Sequence, residues 1–391
     1  MKRLLIIYHF FPHYRKGVIE ALADSSMDVF FAGDPNGISA DAPIKPYKIE
    51  NNFIPLFFRG IFGPIYRLSG IFRAFRKSRP HVVIFLGDMN CVSVWIWGII
   101  CRLRGKRVMF WAHGWIDDSE VKFKKAVRKL FFKIPNVVLL YGRRARRMAA
   151  SQGFDPKKLF VIYNSLDYQM QNQIYQEAIA CRAAGIKSEP GMVRRNNHPL
   201  IICSARLTSL KRFDLVILAA SLFSMENRPD ILFIGDGPER ANLQFLADRE
   251  NVLCQFVGEC YDEVQLSSWI MNGDMVVSPG NVGLTAVHSM VYGTPVITHS
   301  NRNHQMPEAE AVIDGVTGCL FEEGSVNSLS DAIWRISSLS VREKKEMSLN
   351  CRSMISRFFQ PLKQVEKLEA AIYGEDEYEP IVDEISESEL S

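Results

Sequence analysis

The densest chemistry in the 391-residue sequence lies in Ser204-Ala205-Arg206-Leu207-Thr208-Ser209-Leu210-Lys211-Arg212-Phe213-Asp214. The segment leaves an apolar, strand-like run and enters a helical pattern. At the end of that strand Arg206 and Lys211 can converge on one diphosphate, Arg as a planar fork and Lys as a point charge. A solvated loop that caps the helix is the alternative reading of the same residues. Further along come Ile234-Gly235-Asp236-Gly237-Pro238-Glu239, Val257-Gly258-Glu259 and Ser278-Pro279-Gly280-Asn281-Val282-Gly283-Leu284-Thr285-Ala286-Val287-His288. Gly283 permits close backbone approach, and Leu284 and Thr285 open a helix whose N–H groups and dipole favour phosphate. A tight turn without ligand is the other possibility for Gly283.

In this order and spacing, and continued by Gly293-Thr294-Pro295-Val296-Ile297 and Asp314-Gly315-Val316-Thr317-Gly318, these segments resemble the C-terminal lobe of the family 4 retaining glycosyltransferases, in particular a bacterial surface-polysaccharide branch. The resemblance covers most of residues 200–335. It implies the GT-B fold, with Arg206 and Lys211 neutralising a departing nucleoside diphosphate and Gly237, Glu259, Gly283, Leu284, Thr285 and His288 around the donor. Glu310 aligns with a recurrent family Glu before the Asp-Gly turn, with capping of a following helix as its alternative. The family's Glu-x7-Glu pair is replaced here by Gly280 and His288. An imidazole can still hydrogen-bond a ribose hydroxyl, whereas Gly280 offers no side chain. Sugar recognition is therefore rearranged or activity is lost, and His304, Gln305, Glu308 and Glu310 are the nearby candidates to supply the missing contact.

In the first half, Trp111-Ala112-His113-Gly114 is similar in position to the family's His-Gly, which implies that His113 reaches the transferred sugar from the acceptor side; a structural histidine is the competing reading. Phe11-Pro12-His13-Tyr14-Arg15-Lys16-Gly17 stands where related enzymes carry a Gly-rich acceptor loop. Only Gly17 remains of it, while Tyr14 and Arg15 add stacking and phosphate-binding options. Tyr163-Asn164-Ser165-Leu166-Asp167 resembles a family turn and reads as structural.

The elements that must position these residues follow from periodicity. Short apolar runs at Arg3–Tyr8, Met27–Ala32, Val82–Leu86, Val108–Ala112, Val137–Tyr141 and Leu159–Tyr163 alternate with helical stretches at Gly17–Ala23, Pro64–Lys77, Val92–Leu103, Ser119–Phe132 and Arg143–Ser151. The alternation restarts after residue 198. Continuous apolar strands separated by helices predict parallel sheets covered on both faces. The expected class is α/β, two doubly wound Rossmann-like domains facing across a cleft. The expected parts are an acceptor-side domain (1–170), a linker (171–198), a nucleotide-sugar domain (199–340), helices packing back toward the first domain (341–374) and a disordered acidic tail (375–391).

Charge divides the chain. Residues 1–160 hold 28 Lys and Arg against 11 Asp and Glu, net +17, leaving net −13 for the remainder. From Asn51 to Gly87 there is no acid, but Arg59, Arg67, Arg73, Arg76, Lys77 and Arg79 alternate with Phe53, Phe57, Phe58, Phe62, Tyr66, Phe72 and Phe75; Val121 to Phe154 adds ten cations without an acid. Basic and aromatic residues interleaved on helices predict an anionic membrane surface as partner. No nucleic-acid module accompanies the charge, and no apolar stretch approaches the ~20 residues of a membrane span. Eight cysteines without a Cys-x-x-Cys pair read as free thiols rather than a zinc site.

The resulting expectation is a metal-independent hexosyltransferase without cofactor, cytoplasmic and peripheral to the inner face of the membrane. It would take a nucleotide-sugar donor and a glycan or polyprenyl-diphosphate-linked acceptor, and no nucleic acid, in assembly of a surface polysaccharide such as capsule, O-antigen or exopolysaccharide. The rivals are a catalytically silent GT-B subunit and a sugar-nucleotide epimerase. Dinucleotide chemistry ranks last, because neither half has Gly-x-Gly-x-x-Gly after its first strand.

Overall fold

The computed structural model describes residues 2–37, 44–115, 122–184, 195, 198–374 and 386–390. The chain divides into two compact units, Met1–Asp167 with Gln360–Glu384 and Tyr168–Phe359 with Ile385–Ser391.

In the first unit the strands are β1 (Arg3–Ile7), β2 (Asp28–Gly33), β3 (Phe53–Pro55), β4 (Phe57–Phe62), β5 (Ile65–Ser69), β6 (Val82–Leu86), β7 (Arg107–Ala112), β8 (Val137–Leu140) and β9 (Leu159–Val161). The helices are α1 (Lys16–Ala23), α2 (Ile71–Ser78), α3 (Val92–Leu103), α4 (Lys122–Phe131) and α5 (Arg143–Ser151). Seven strands form one parallel sheet in the order β3-β2-β1-β6-β7-β8-β9, while β4 and β5 pair as an antiparallel hairpin. Leu5, Ile7, Val83 and Phe85 bury into one layer, and Leu4, Ile6, Val82 and Ile84 into the other. Both faces being covered explains why these strands are continuous apolar runs rather than alternating ones.

The second unit repeats the plan with β10 (Leu200–Ser204), β11 (Asp230–Ile234), β12 (Cys254–Gly258), β13 (Met275–Ser278), β14 (Val296–His299) and β15 (Gly318–Phe321). Its helices are α6 (Tyr168–Ala183), α7 (Asp214–Ser221), α8 (Arg240–Arg249), α9 (Glu263–Asn272), α10 (Leu284–Val291), α11 (Val326–Ser337) and α12 (Val341–Phe358). The sheet order is β12-β11-β10-β13-β14-β15, all parallel. The last helix, α13 (Pro361–Tyr373), returns to the first unit and packs on α1. Two doubly wound Rossmann-like units are the outcome, the α/β class expected.

Several local expectations are corrected. The helix expected over Pro64–Lys77 is instead β5 followed by α2. In Ile65-Tyr66-Arg67-Leu68 exposure alternates residue by residue, the period-two pattern of a strand, and Gly63 takes a positive φ to close the hairpin before it. The basic and aromatic segment is therefore partly a hairpin rather than helices. Strands β3 and β15 were not anticipated; both are short edge strands, one ending in Pro55 and one starting in Gly318. Residues 168–198, which read as a helix followed by a linker, begin with that helix, α6, which runs on past the boundary drawn at 171; residues 185–194 and 196–197 lie outside the described residues. The helix expected at Ser119–Phe132 is described from Lys122, its first three residues lying outside. Helices α12 and α13, expected to pack together toward the first domain, part company at Phe359: α12 stays in the second unit against α10. Of the expected disordered tail, 375–385 and 391 lie outside the described residues. Residues 386–390 include the short turn Glu387–Glu389, and Leu390 is buried, its carbonyl accepting from Ser353 and that of Glu389 from Arg357.

Candidate active site

In the second unit the crossovers diverge between β10 and β13, which opens a crevice at the C-terminal ends of these neighbouring strands. The loop after β10 carries Arg206 and Lys211, and the loop after β13 carries Gly280 to Gly283. They are tied together directly. Lys211 Nζ donates to the Asn281 carbonyl at 2.9 Å and to its side-chain Oδ1 at 2.8 Å, Gly280 N donates to Lys211 O at 3.0 Å, and Thr285 Oγ1 donates to Ser204 O at 3.3 Å.

The Gly-x-Gly-Pro turn braces the same loop from the other side. Leu207 N donates to Asp236 O at 2.9 Å and Glu239 N to Leu207 O at 3.1 Å. A Cβ on Gly237 would stand 2.3 Å from Leu207 O, so only glycine lets the turn lie against the Arg206 loop. Gly237, expected among the donor contacts, is thus explained by packing. Gly283 differs. A Cβ there would meet nothing nearer than Met306 Cγ at 3.9 Å, which leaves open space in front of the first turn of α10, where backbone N–H groups lack helical partners.

The charges in this crevice are unbalanced. Lys211 is partly buried and bonded to two neutral oxygens, and burial pulls its pKa below the usual lysine value. Arg206 is exposed, and its side chain makes no hydrogen bond or ion pair with the described residues. Neighbouring Arg212, by contrast, is paired with Asp214 at 3.1 Å. Among the described residues, neither Arg206 nor Lys211 is paired with a carboxylate.

The expected Glu-x7-Glu positions behave unequally. Gly280 is locked against the β10 loop, a Cβ there falling 2.1 Å from Leu210 O. His288 Nε2 lies 2.8 Å from Glu263 Oε1, which also accepts from Tyr292 OH at 2.6 Å and Gln171 Nε2 at 2.9 Å. Its expected ribose contact is therefore occupied by a protein carboxylate. Burial pushes the Glu263 pKa up, but the bonds from His288, Tyr292 and Gln171 outweigh it and leave the carboxyl below its ordinary value. A depressed folded value stabilises the fold above the unfolded pKa of ~4.3 and ceases to do so as pH falls through the folded value. Glu263→Gln should therefore lower stability at neutral pH by about 1 kcal/mol, a deficit that closes on acidification below pH ~4. Chemical denaturation across pH checks it; a deficit independent of pH contradicts it.

The remaining second-unit candidates spread out. Glu259 is exposed and accepts from Tyr261 OH at 3.2 Å. Glu308 and Glu310 are buried in the short turn Pro307–Ala311, which packs on α10; the next helix, α11, is capped by Ser325 rather than by Glu310. Gln305 accepts from Val282 N at 2.7 Å and donates to Thr298 Oγ1 at 2.8 Å, which fixes the loop leading to Gly283. His304 pairs with Glu323 at 2.7 Å on the surface. Sequence reasoning missed Asn281 and Glu263. The polar Asn281 inside an apolar-glycine loop was a usable signal, whereas nothing local marks Glu263.

In the first unit the equivalent switch point lies between β1 and β6. A cavity of about 500 Å³ occupies it, lined by Tyr14, Arg15 and His113 among others. His113 sits 4.7 Å from the Tyr141 ring, and burial, helped by the Arg15 charge, drops its pKa to about 4, so the imidazole is neutral at pH 7. Gly17, grouped with Tyr14 and Arg15 by sequence, is buried in α1 instead; a Cβ there would be 2.9 Å from both Leu166 O and Pro361 Cγ. Tyr163 to Asp167, expected as a structural turn, is irregular with a positive φ at Tyr163, and Lys16 is bonded to Asp167 at 3.0 Å. Among the described residues no group of three or more His, Cys, Asp or Glu is disposed to hold a metal ion.

Residues 188–354 match the family model for glycosyl transferases, group 1. No curated protein matches the sequence. Solved structures share the fold at low identity. The chain is similar to Anabaena Alr3699/HepE in complex with UDP (14% identity, 95% of this chain and 100% of that one, TM-score 0.68). It is similar to the lipopolysaccharide outer core galactosyltransferase WaaB in its apo form (16%, 95% and 99%, TM-score 0.65). It is also similar to sucrose-phosphate synthase from Thermosynechococcus elongatus (15%, 96% and 100%, TM-score 0.66). The shared fold is that of the GT-B glycosyltransferases.

Proposed function

Given a second unit whose residues 188–354 carry the group 1 glycosyl transferase match, we propose that the chain moves a sugar from a nucleotide-sugar donor to a hydroxyl of an acceptor glycan, with retention at the anomeric carbon and without a metal. The observation that carries this reading is Lys211, a half-buried ammonium with only neutral oxygens as partners, beside unpaired Arg206 and the open N-terminus of α10. This set neutralises a diphosphate as it leaves. The bond from the anomeric carbon to the phosphate oxygen breaks, the acceptor oxygen bonds that carbon from the same face, and the acceptor proton passes to the departing phosphate. Neutral His113, on the acceptor side, supplies a hydrogen bond to the transferred sugar.

UDP-sugars are the first donors to test, since the Anabaena neighbour binds UDP and UDP-glucose. Saturating donor at 100 times its Kd raises stability by about 2.7 kcal/mol, visible as a thermal shift. Release of nucleoside diphosphate in the presence of acceptor, unaffected by EDTA, supports the reading; loss of turnover with EDTA overturns its metal independence. The close packing at Gly280 favours one rival, a silent subunit, for which donor binds and no nucleotide is released.

The acceptor in this proposal is linked to a polyprenyl diphosphate during bacterial surface-polysaccharide assembly, and the protein works peripherally at the inner face of the cytoplasmic membrane. The hairpin of β4 and β5 supports it: Phe57, Ile61 and Phe62 are 53%, 56% and 82% exposed, with Arg59 and Arg67 between the apolar positions. Beside it on α3, Ile96, Ile99 and Leu103 are exposed too. No helix among the described residues is long and apolar enough to cross a membrane. Tyr66 is core, so the stripe divides between packing and exposed surface. Replacing Ile61 and Phe62 together by Asp should reduce co-sedimentation with anionic vesicles by about tenfold or more, because each large apolar side chain contributes about 1.5–3 kcal/mol on burial. Unchanged binding would remove the hairpin from the proposal.

A further inference from the structure

The first-unit cavity holds a cation with no acid to answer it. Arg15, at the end of the β1 loop, is 7% exposed, and its guanidinium lies over the rings of Trp111, Tyr8 and Tyr141 at 4.9, 5.4 and 5.4 Å. One Nη donates to Tyr141 OH; the other, Nη1, has no acceptor. Around it Tyr8 OH, His9 Nδ1, Trp111 Nε1 and His113 Nδ1 are likewise buried without a hydrogen-bond partner. Five orphaned polar atoms from β1, β7 and their loops in one neighbourhood exceed what a native core leaves unpaired without a purpose. Among the described residues the single carboxylate lining the cavity, Asp88, is already engaged by Tyr66 OH at 3.0 Å and Asn90 N at 2.9 Å. A second buried guanidinium, Arg128, lines the same space.

We propose that this cavity binds the oxyanion of a charged saccharide, a sugar phosphate or a uronate, with Arg15 as its counter-ion and Tyr8, His9 and His113 as hydrogen-bonding neighbours. Cation–π contacts hold the guanidinium in place but leave its N–H unsatisfied, and a buried charge calls for a paired one. An oxyanion satisfies both. Burial lowers the His9 pKa to about 4, as it does that of His113, so Arg15 carries the charge while the imidazoles act as neutral donors or acceptors. The inference rests on the transferase reading only in making this saccharide the acceptor. It specifies an acceptor that presents its own negative group within reach of the hydroxyl to be glycosylated.

The test uses full-length protein with saturating UDP, so that the Arg206 and Lys211 crevice is filled. Glucose 1-phosphate, glucuronate and glucose are compared by calorimetry, with hydrogen exchange to locate binding. One charged sugar should bind about tenfold or more tightly than glucose, with protection confined to residues 8–15 and 112–114. Preference for the phosphate or the uronate identifies the source of the oxyanion. Arg15→Gln should abolish the preference, and Arg15→Lys should restore part of it. Equal binding of charged and neutral sugars, or protection only at residues 204–212 and 278–285, overturns the proposal, and the wild-type arms decide this even if a variant fails to fold. Failure of UDP to bind would strike the transferase reading while leaving the charged-sugar result intact.

Discussion

Arg206→Ala and Lys211→Ala proteins should fold as the wild type does and turn over roughly a hundredfold or more slowly, a loss of about 3 kcal/mol of transition-state stabilisation each. Arg206 is the cleaner of the two, because its side chain is exposed and makes no hydrogen bond or ion pair with the described residues. Lys211 also ties Asn281 to the β10 loop, so its removal is accompanied by a modest fall in melting temperature. Since both cations would act on one departing diphosphate, the double variant should lose less than the product of the single losses. Steady-state kinetics with donor and acceptor, read beside thermal denaturation, is the measurement. Wild-type turnover in both single variants would dissolve the clamp.

The second large effect runs against what the family resemblance alone would advise. Putting Glu at position 280, to restore the acidic residue usual there, should damage the protein rather than improve it. A Cβ at Gly280 falls 2.1 Å from Leu210 O and 3.0 Å from Lys211 Cα, and both obstacles are backbone. The two loops must separate to admit it, which breaks the Gly280 N to Lys211 O bond and displaces Lys211 itself. Overpacking of this kind costs about 3 kcal/mol, and even Gly280→Ala should show most of it. Turnover should fall together with stability. A Gly280→Glu protein as stable as the wild type, with faster donor turnover, would mean that the loop adapts and the missing carboxylate was the defect.

These two cases mark what the sequence made legible. Arg206, Lys211 and Gly283 were readable because strand, loop and helix follow one another within a few residues, and the switch-point crevice then assembles them with little freedom. The parallel sheets were readable because strands buried on both faces are written as unbroken apolar runs such as Leu200 to Cys203. The His288 contact was not legible because its partner Glu263 sits on another helix, nor the packing of Gly237, because close approach to Leu207 and contact with a ligand demand the same residue type. The cage around Arg15 was only half visible: Arg15 could be named, but Tyr8, Trp111 and Tyr141 come from the ends of three strands that only tertiary structure brings together. The hairpin was lost to Pro64, read as a helix start although it follows a glycine turn.

The return of α13 to the first unit bears on how the chain is made. Val365, Leu368, Ala371 and Ile372 complete one whole layer of the first sheet, and Gln364 bonds Ser165 and the Tyr163 carbonyl where that unit's earlier segment ends. On the ribosome that layer, which α1 covers in part through Val18, Ile19 and Leu22, therefore lacks the rest of its cover until residues 361–373 have been synthesised. The second unit in turn takes up residues 386–390, where Leu390 is buried and its carbonyl accepts from Ser353, after α13 has left for the first. A chain cut before codon 361 therefore lacks a packed piece of each unit, and neither closes in its final form until both pieces have been made.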